Sequence, residues 1–366
     1  MIPDSIYWHC FRKLPGFGQA RILSVMDCFE SGEVAWKAPL SAFADANLSR
    51  DAREALLSGR SSIDPEYEAG LLEQENIRLL LGSSSDFPPL LRELDAPFAL
   101  LYAKGNFSQW HRPCISVVGS RRHTAYGTQA TERISKELAR AGFVVVSGLA
   151  YGIDSVAHEA TIHSGGTTIA VLGDSLDDDS IHPKDHLTLA RRIQEQGALL
   201  SEYPPVTPAR PETFPARNRI VAGISQGTIV IEAAERSGSL ITARLALEAN
   251  REVFAVPGSI FSPASSGTNR LIKEGAKIVR NIGDILEEIP IVTEPTKTTA
   301  ETPQEKPHGL SEEEEKILSI LSHEGLAVDE IIKSSHLGIS VASGALTMLE
   351  LRGLAKDIGG SHYIRM

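Results

Sequence analysis

The chain has 366 residues, of which 42% are hydrophobic and 23% charged, and its formal net charge is −11. That length argues for two or three domains with at least one sizeable core, and the composition excludes wholesale disorder. No stretch approaches the roughly 18 consecutive apolar residues of a membrane span. Met1-Ile2-Pro3-Asp4 opens without the basic and apolar regions of a secretory signal. Cys10, Cys28 and Cys114 show no C-x-x-C spacing, which excludes a disulfide framework and a zinc ribbon and fits a reducing cytoplasm. The charge is unevenly spread: residues 105–285 carry 19 basic and 18 acidic side chains, leaving 17 basic and 29 acidic elsewhere. A near-neutral middle between acidic ends leaves room for a local cationic site, and an anion responds to the local field.

Residues 1–84 read as a small helical module. In it Leu14-Pro15-Gly16-Phe17-Gly18 precedes an amphipathic helix from Gln19, a turn of the helix–hairpin–helix type whose free amides suit a phosphate. The many acids nearby favour the plainer reading of a tight turn in a helical bundle.

Residues 85–290 change character. Strand-like runs recur at Cys114–Val118, Phe143–Ser147, Thr167–Leu172, Ala198–Glu202, Thr228–Glu232, Glu252–Val256 and Lys277–Arg280. Helical patterns lie between most of them, at Gly127–Ala141, Asp154–His163, Asp185–Gln196, Leu240–Asn250 and Asn269–Glu274. Alternating β and α with apolar strands predicts an α/β fold with a doubly wound, mostly parallel sheet, whose ligand crevice lies at the C-terminal strand ends.

Four turns at or near those ends are built for an anion. Gly119-Ser120-Arg121-Arg122 is neither a dinucleotide fingerprint nor a P-loop, but it sets two guanidiniums at a helix N-terminus. Ser147-Gly148-Leu149-Ala150 enters a helix for which Asp154 is placed as N-cap. Phe214-Pro215-Ala216-Arg217-Asn218-Arg219 adds a ring and two cations, and Ser237-Gly238-Ser239 opens a further helix. Glu232 reads as a strand-end residue orienting its neighbours. Asp177-Asp178-Asp179, with His182 and His186 following, reads as solvated loop acids, so no metal, cofactor or catalytic acid–base pair is expected.

Residues 291–309 hold three prolines and little to bury, which predicts a linker. Residues 310–366 read as a winged helix: a capping box at Ser311, three helices, and a hairpin across Gly359-Gly360. Its third helix, Ser340–Arg352, has no basic residue in its first three turns, which favours an interaction or regulatory module over a groove reader.

Taken together, Ser147-Gly148-Leu149-Ala150, Gly152-Ile153-Asp154, Ala157-His158, Phe214-Pro215, Arg217-Asn218-Arg219-Ile220, Ser237 to Ala243, Val256-Pro257-Gly258-Ser259 and Gly267-Thr268-Asn269 resemble, in order and spacing over about 180 residues, the DNA-processing protein A (DprA/Smf) family. The sequence departs from the family pattern at Tyr151, at His182-Pro183 and at Gly173-Asp174-Ser175. The resemblance implies a Rossmann-like central domain between a helix–hairpin–helix or SAM-like front module and a C-terminal winged helix. It also implies a cytoplasmic, non-enzymatic protein that binds single-stranded DNA, forms a homodimer through the central domain and helps load the RecA recombinase in natural transformation. The DNA contacts expected from the four turns and the resemblance together are Gly119, Ser120, Arg121, Arg122, Ser147, Gly148, Lys184, Phe214, Arg217, Asn218, Arg219, Ser237, Gly238 and Ser239. Phe214 is either a base-stacking lip or a loop anchor. The rival reading is a nucleotide phosphoribohydrolase of the lysine decarboxylase-like class, but its contiguous Pro-Gly-Gly-x-Gly-Thr-x-x-Glu run is missing.

Overall fold

The alternating apolar runs pair into one nine-stranded sheet in a computed structural model that describes residues 2–290, 310–322 and 325–365. The expected linker at 291–309 lies outside the described residues. The strands are β1 (Arg78–Leu81), β2 (Leu100–Gly105), β3 (Cys114–Val118), β4 (Val144–Ser147), β5 (Thr168–Leu172), β6 (Ala198–Ser201), β7 (Gly227–Val230), β8 (Glu252–Ala255) and β9 (Lys277–Ile278). Their order is β1-β2-β6-β5-β4-β3-β7-β8-β9. From β6 to β9 every pairing is parallel, as expected, whereas β1 and β2 join antiparallel at one edge. These two strands were not foreseen, and β1 falls within residues expected to be helical. Arg78-Leu79-Leu80-Leu81 is a short apolar run, which periodicity cannot distinguish from a buried helical turn.

The central strands are buried on both faces, and side-chain alternation feeds two cores. Ile115, Val117 and Val145 pack with Ile134, Leu138 and Ala157 of helices Ala125–Arg140 and Ile153–His163. Val118, Val144 and Val146 pack with Ile220, Val221 and Ala243 of helices Thr213–Gly223 and Gly238–Glu248 on the other face.

The N-terminal helices do not form a separate core. Phe11, Phe17, Trp36 and Phe43 share one cluster with Leu100 and Tyr102 of β2 and Leu199 of β6. Gln19, first residue of helix Gln19–Met26, accepts the Ala99 and Leu100 N–H groups and donates to the Leu100 carbonyl. Its helix end therefore serves the sheet edge, and the turn before it holds Gly16 at φ +76°. His9 lies between the Tyr102 hydroxyl and Glu68 at 2.9 and 3.1 Å.

Residues Met1–Val292 make one compact unit and Thr293–Met366 a second. In the second, Ser311 and Glu314 complete both halves of the capping box on helix Glu312–Ile320. Helices Val328–Ser335 and Ile339–Leu351 follow, and Ala355–Asp357 pairs with His362–Arg365 across the expected glycines. That is a winged helix. Its third helix exposes Ile339, Val341, Met348 and Leu351, an apolar face and not a cationic one.

Candidate nucleic-acid interface

Strand β3 is flanked by β4 and β7, so the order in which strands are added reverses there, and the crevice of an open α/β sheet is expected between the β3 and β7 ends. That point is closed. Glu232, just past β7 and 1% exposed, accepts from the Thr124 N–H at 2.9 Å and the Thr124 hydroxyl at 2.6 Å. Thr124 is the N-cap of helix Ala125–Arg140, so this carboxylate fixes the turn carrying Arg121 and Arg122. Gly127 is required beside it, because a Cβ there would fall on the Glu232 carboxylate.

The open cleft is displaced toward β4 and β5. It is lined by Arg121, Gly148, Ala150, Tyr151, His182, Pro183, Phe214 and Arg217, drawn from the ends of β3, β4 and β5 and from helix Thr213–Gly223. Helical spacing puts Thr213, Arg217 and Val221 on the buried face of that helix. Arg217 is 4% exposed and donates through Nη1 to the carbonyls of Gly148 (2.6 Å) and Val171. Its Nε donates to Asn218 Oδ1.

Two buried acids balance this cation. Asp154 accepts the Gly148 and Ala150 N–H groups at 3.1 and 3.4 Å. Burial raises its pKa, and the nearby Arg217 charge works against that rise. Asp154 is therefore not the expected N-cap: Gly152, at φ +87°, takes that position, and Asp154 sits one residue inside the helix and reaches back to the loop. Asp174 accepts the His182 N–H with Oδ2, while its Oδ1 is buried without a partner. Burial pushes its pKa up to about 7, against the pull of that hydrogen bond and of Arg217. Behind them His158 is buried with Nε2 unpartnered, and burial lowers it to about 3, so it is neutral.

At the rim, Arg121 and Arg122 are exposed and form no ion pair among the described residues. Arg121 lies 5.8 Å from the Phe214 ring centre, within cation–π reach, and His182 approaches the same ring. Phe214 is half-buried against the β5 turn, where a Cβ on Gly173 would meet its ring at 2.9 Å. The ring is held in place with one part open to the cleft.

The expected contacts thus divide into groups. Arg121, Gly148, Phe214 and Arg217 converge on the cleft, with Gly119, Ser120, Arg122 and Asn218 directly adjoining in sequence. Ser147 points inward, its hydroxyl donating to the Val117 carbonyl at 2.7 Å. Arg219 pairs with Glu202 at 2.7 Å and stacks at 4.1 Å over Phe98, outside the cleft lining. Lys184 follows Pro183 at the rim but folds back onto the Asp178 and Asp179 carbonyls. Ser237, Gly238 and Ser239 form a capped helix start beyond β7, away from the lining residues. Asp177, expected to be solvated, is buried and accepts from Ser175, Ser180 and the Val206 N–H. No cluster of three metal-ligating side chains occurs among the described residues. Asp174, Tyr151 and His182 belong to the site without having been named for it; their signal was position after β4 and β5.

Residues 78–290 match the family described as DNA recombination-mediator protein A, and residues 300–361 match its winged helix domain. The chain is 33% identical to Protein Smf of Synechocystis over 99% of both chains. It is 44% identical to DNA processing protein DprA of Bacillus subtilis over 59% of this chain and 73% of that one. Among solved structures, DprA of Streptococcus pneumoniae superposes with a TM-score of 0.68 at 38% identity, covering 77% of this chain and 97% of that one. DNA processing protein A of Helicobacter pylori, solved to explain its single-stranded DNA binding mode, gives 0.53 at 32% identity over 58% and 95%. With matching order of motifs, a shared Rossmann-like core and the winged helix, the chain belongs to the DNA recombination-mediator protein A (DprA/Smf) family.

Proposed function

We propose that this protein binds single-stranded DNA without reading its sequence. The observation that carries this is Arg121, exposed and without an ion pair among the described residues, 5.8 Å from the centre of the partly open Phe214 ring, with the exposed Arg122 next to it in sequence. Guanidiniums hold backbone phosphates, which position a strand but carry no base identity, and an open ring stacks on any base. The family relationship, and the single-stranded DNA bound by the Helicobacter pylori relative, support the same reading. Gly148, Arg217 and Asn218 shape the floor, and Lys184, Arg219 and Ser237–Ser239 extend the interface along the sheet edge. The protein works in the cytoplasm as a homodimer joined through the central domain, protects incoming strands and hands them to the RecA recombinase in natural transformation. It does not turn nucleotides over.

The test is a gel-shift with random-sequence oligonucleotides, where single strands bind and duplexes bind worse. Indifference to strandedness overturns the cleft reading. Incubation with nucleoside monophosphates releases no free base; release would favour the phosphoribohydrolase. RecA filament formation on protein-covered single strands should speed up when the protein is added.

A further inference from the structure

Two of the most exposed apolar side chains lie on the loop after β8, at the same C-terminal end of the parallel strands as the cleft: Ile260 is 84% and Phe261 89% exposed. The loop that presents them is anchored. The Asn269 side-chain amide donates to the Gly258 carbonyl at 3.0 Å and accepts the Gly258 N–H at 3.3 Å. A Cβ on Gly258 would run into Ser265, so the backbone is packed as well as bonded. The Ala233 N–H donates to the Ala264 carbonyl and the Gly267 N–H to the Ala233 carbonyl, tying the loop to the end of β7. On the other side the Tyr126 hydroxyl donates to the Pro257 carbonyl at 2.7 Å. Tyr126 is itself 47% exposed and stands four residues after Arg122. Anchored backbone beneath exposed rings is a preorganised surface.

Strand order sets what lies between. Moving along the C-terminal edge from the cleft, the chain presents Phe214 with Arg121, then Arg122 and Tyr126 after β3, then Arg236 after β7, then Ile260 and Phe261 after β8. Arg236 is exposed, with the exposed acid Glu235 beside it, and forms no ion pair among the described residues. From β3 to β8 is two strand spacings, on the order of 10 Å. Cations interleaved with exposed rings along a groove are what a flexible strand tracks.

We propose that Phe261, seated on the Asn269-pinned loop, is a second stacking position for single-stranded DNA, reached by a strand that leaves the Arg121–Phe214 cleft across Arg122 and Tyr126. This rests on the cleft binding single strands.

The experiment measures affinity by fluorescence anisotropy for oligothymidylates of about 4 to about 16 nucleotides, with wild type, Phe261→Ala and Phe261→Trp. Phe261→Ala is expected to match wild type on the shortest strands. On the longest it should lose roughly fivefold or more, the effect of one stacking contact, with an unchanged salt dependence. Phe261→Trp restores it. Equal binding of Phe261→Ala and wild type at every length overturns the inference while leaving the cleft intact. So does a deficit already full on the shortest strands, or one seen only in self-association by sedimentation, which would assign the ring to a protein interface. A wild type that binds no strand of any length overturns the cleft reading and this inference together.

Discussion

Arg217 Nη1 donates to the Gly148 carbonyl at 2.6 Å, while the Gly148 N–H donates to Asp154 at 3.1 Å, so one glycine is clamped from both sides by opposite charges. A Cβ on Gly148 would fall into the guanidinium. The cation deepest in the site is therefore first a structural group.

Arg217→Ala should behave as a folding lesion. It leaves Asp154 and Asp174 without their shared cation, and breaking a buried charge arrangement costs about 3–5 kcal/mol. Urea denaturation should show that loss, whereas Arg121→Ala should stay within about 0.5 kcal/mol of wild type, as an exposed side chain does. Equal stability of the two variants would remove the structural role given to Arg217.

Arg121 and Phe214 should separate in a salt titration. Arg121→Ala is expected to weaken single-strand binding nearly uniformly across sequences, and to flatten the slope of log K against log salt by about 0.7. Phe214→Ala should lower affinity by ~1–3 kcal/mol with the slope unchanged, since no charge is removed.

Asp174 gives stability a pH dependence of unusual sign. Its folded pKa, about 7, lies above the ordinary carboxylate value of 3.8, so in that window the folded protein holds a proton the unfolded chain has released. Its contribution is thus fully present below pH ~4 and is lost as pH rises toward 7, by up to about 4 kcal/mol. Asp174→Asn should remove that component: between pH ~4 and ~7 the variant gains on wild type, read as the difference between their unfolding free energies.

Glu232 should matter for binding without touching DNA. Glu232→Ala frees Thr124 and loosens the turn holding Arg121 and Arg122, so affinity and thermal stability fall together. Glu232→Gln keeps one acceptor for the Thr124 N–H and should recover part of both. A variant of normal affinity would show that the turn holds itself.

Periodicity made most of the sheet legible: seven parallel strands and their helices lie within a few residues of where the apolar runs put them. What escaped was set by tertiary contacts. Leu79 to Leu81 could be helix or strand until β2 supplied a partner, and the N-terminal helices could be a domain until Tyr102 and Leu199 entered their core. In the site, residue type revealed cations but not their employment. Arg217 and Arg219 look alike two positions apart, yet helix geometry turns one inward onto Gly148 and leaves the other to Glu202. Asp174 was marked only by its place after β5 and by a departure from the family pattern, since its raised pKa comes from burial, which residue type does not report.

The shared core of the N-terminal helices and the sheet edge also imposes an order on assembly. Gln19 finds Leu100 across 81 residues and His9 finds Tyr102 across 93, while Leu199 in the same cluster belongs to a strand made later still. Phe11 packs locally on Phe17, Trp36 and Phe43, but the cluster around these rings also takes in Tyr102 and Leu199, so it is complete only once β6 is in place. Closing such distant contacts is slow, and the exposed rings are an aggregation hazard meanwhile. The N-terminal helices are thus among the last elements to be sealed.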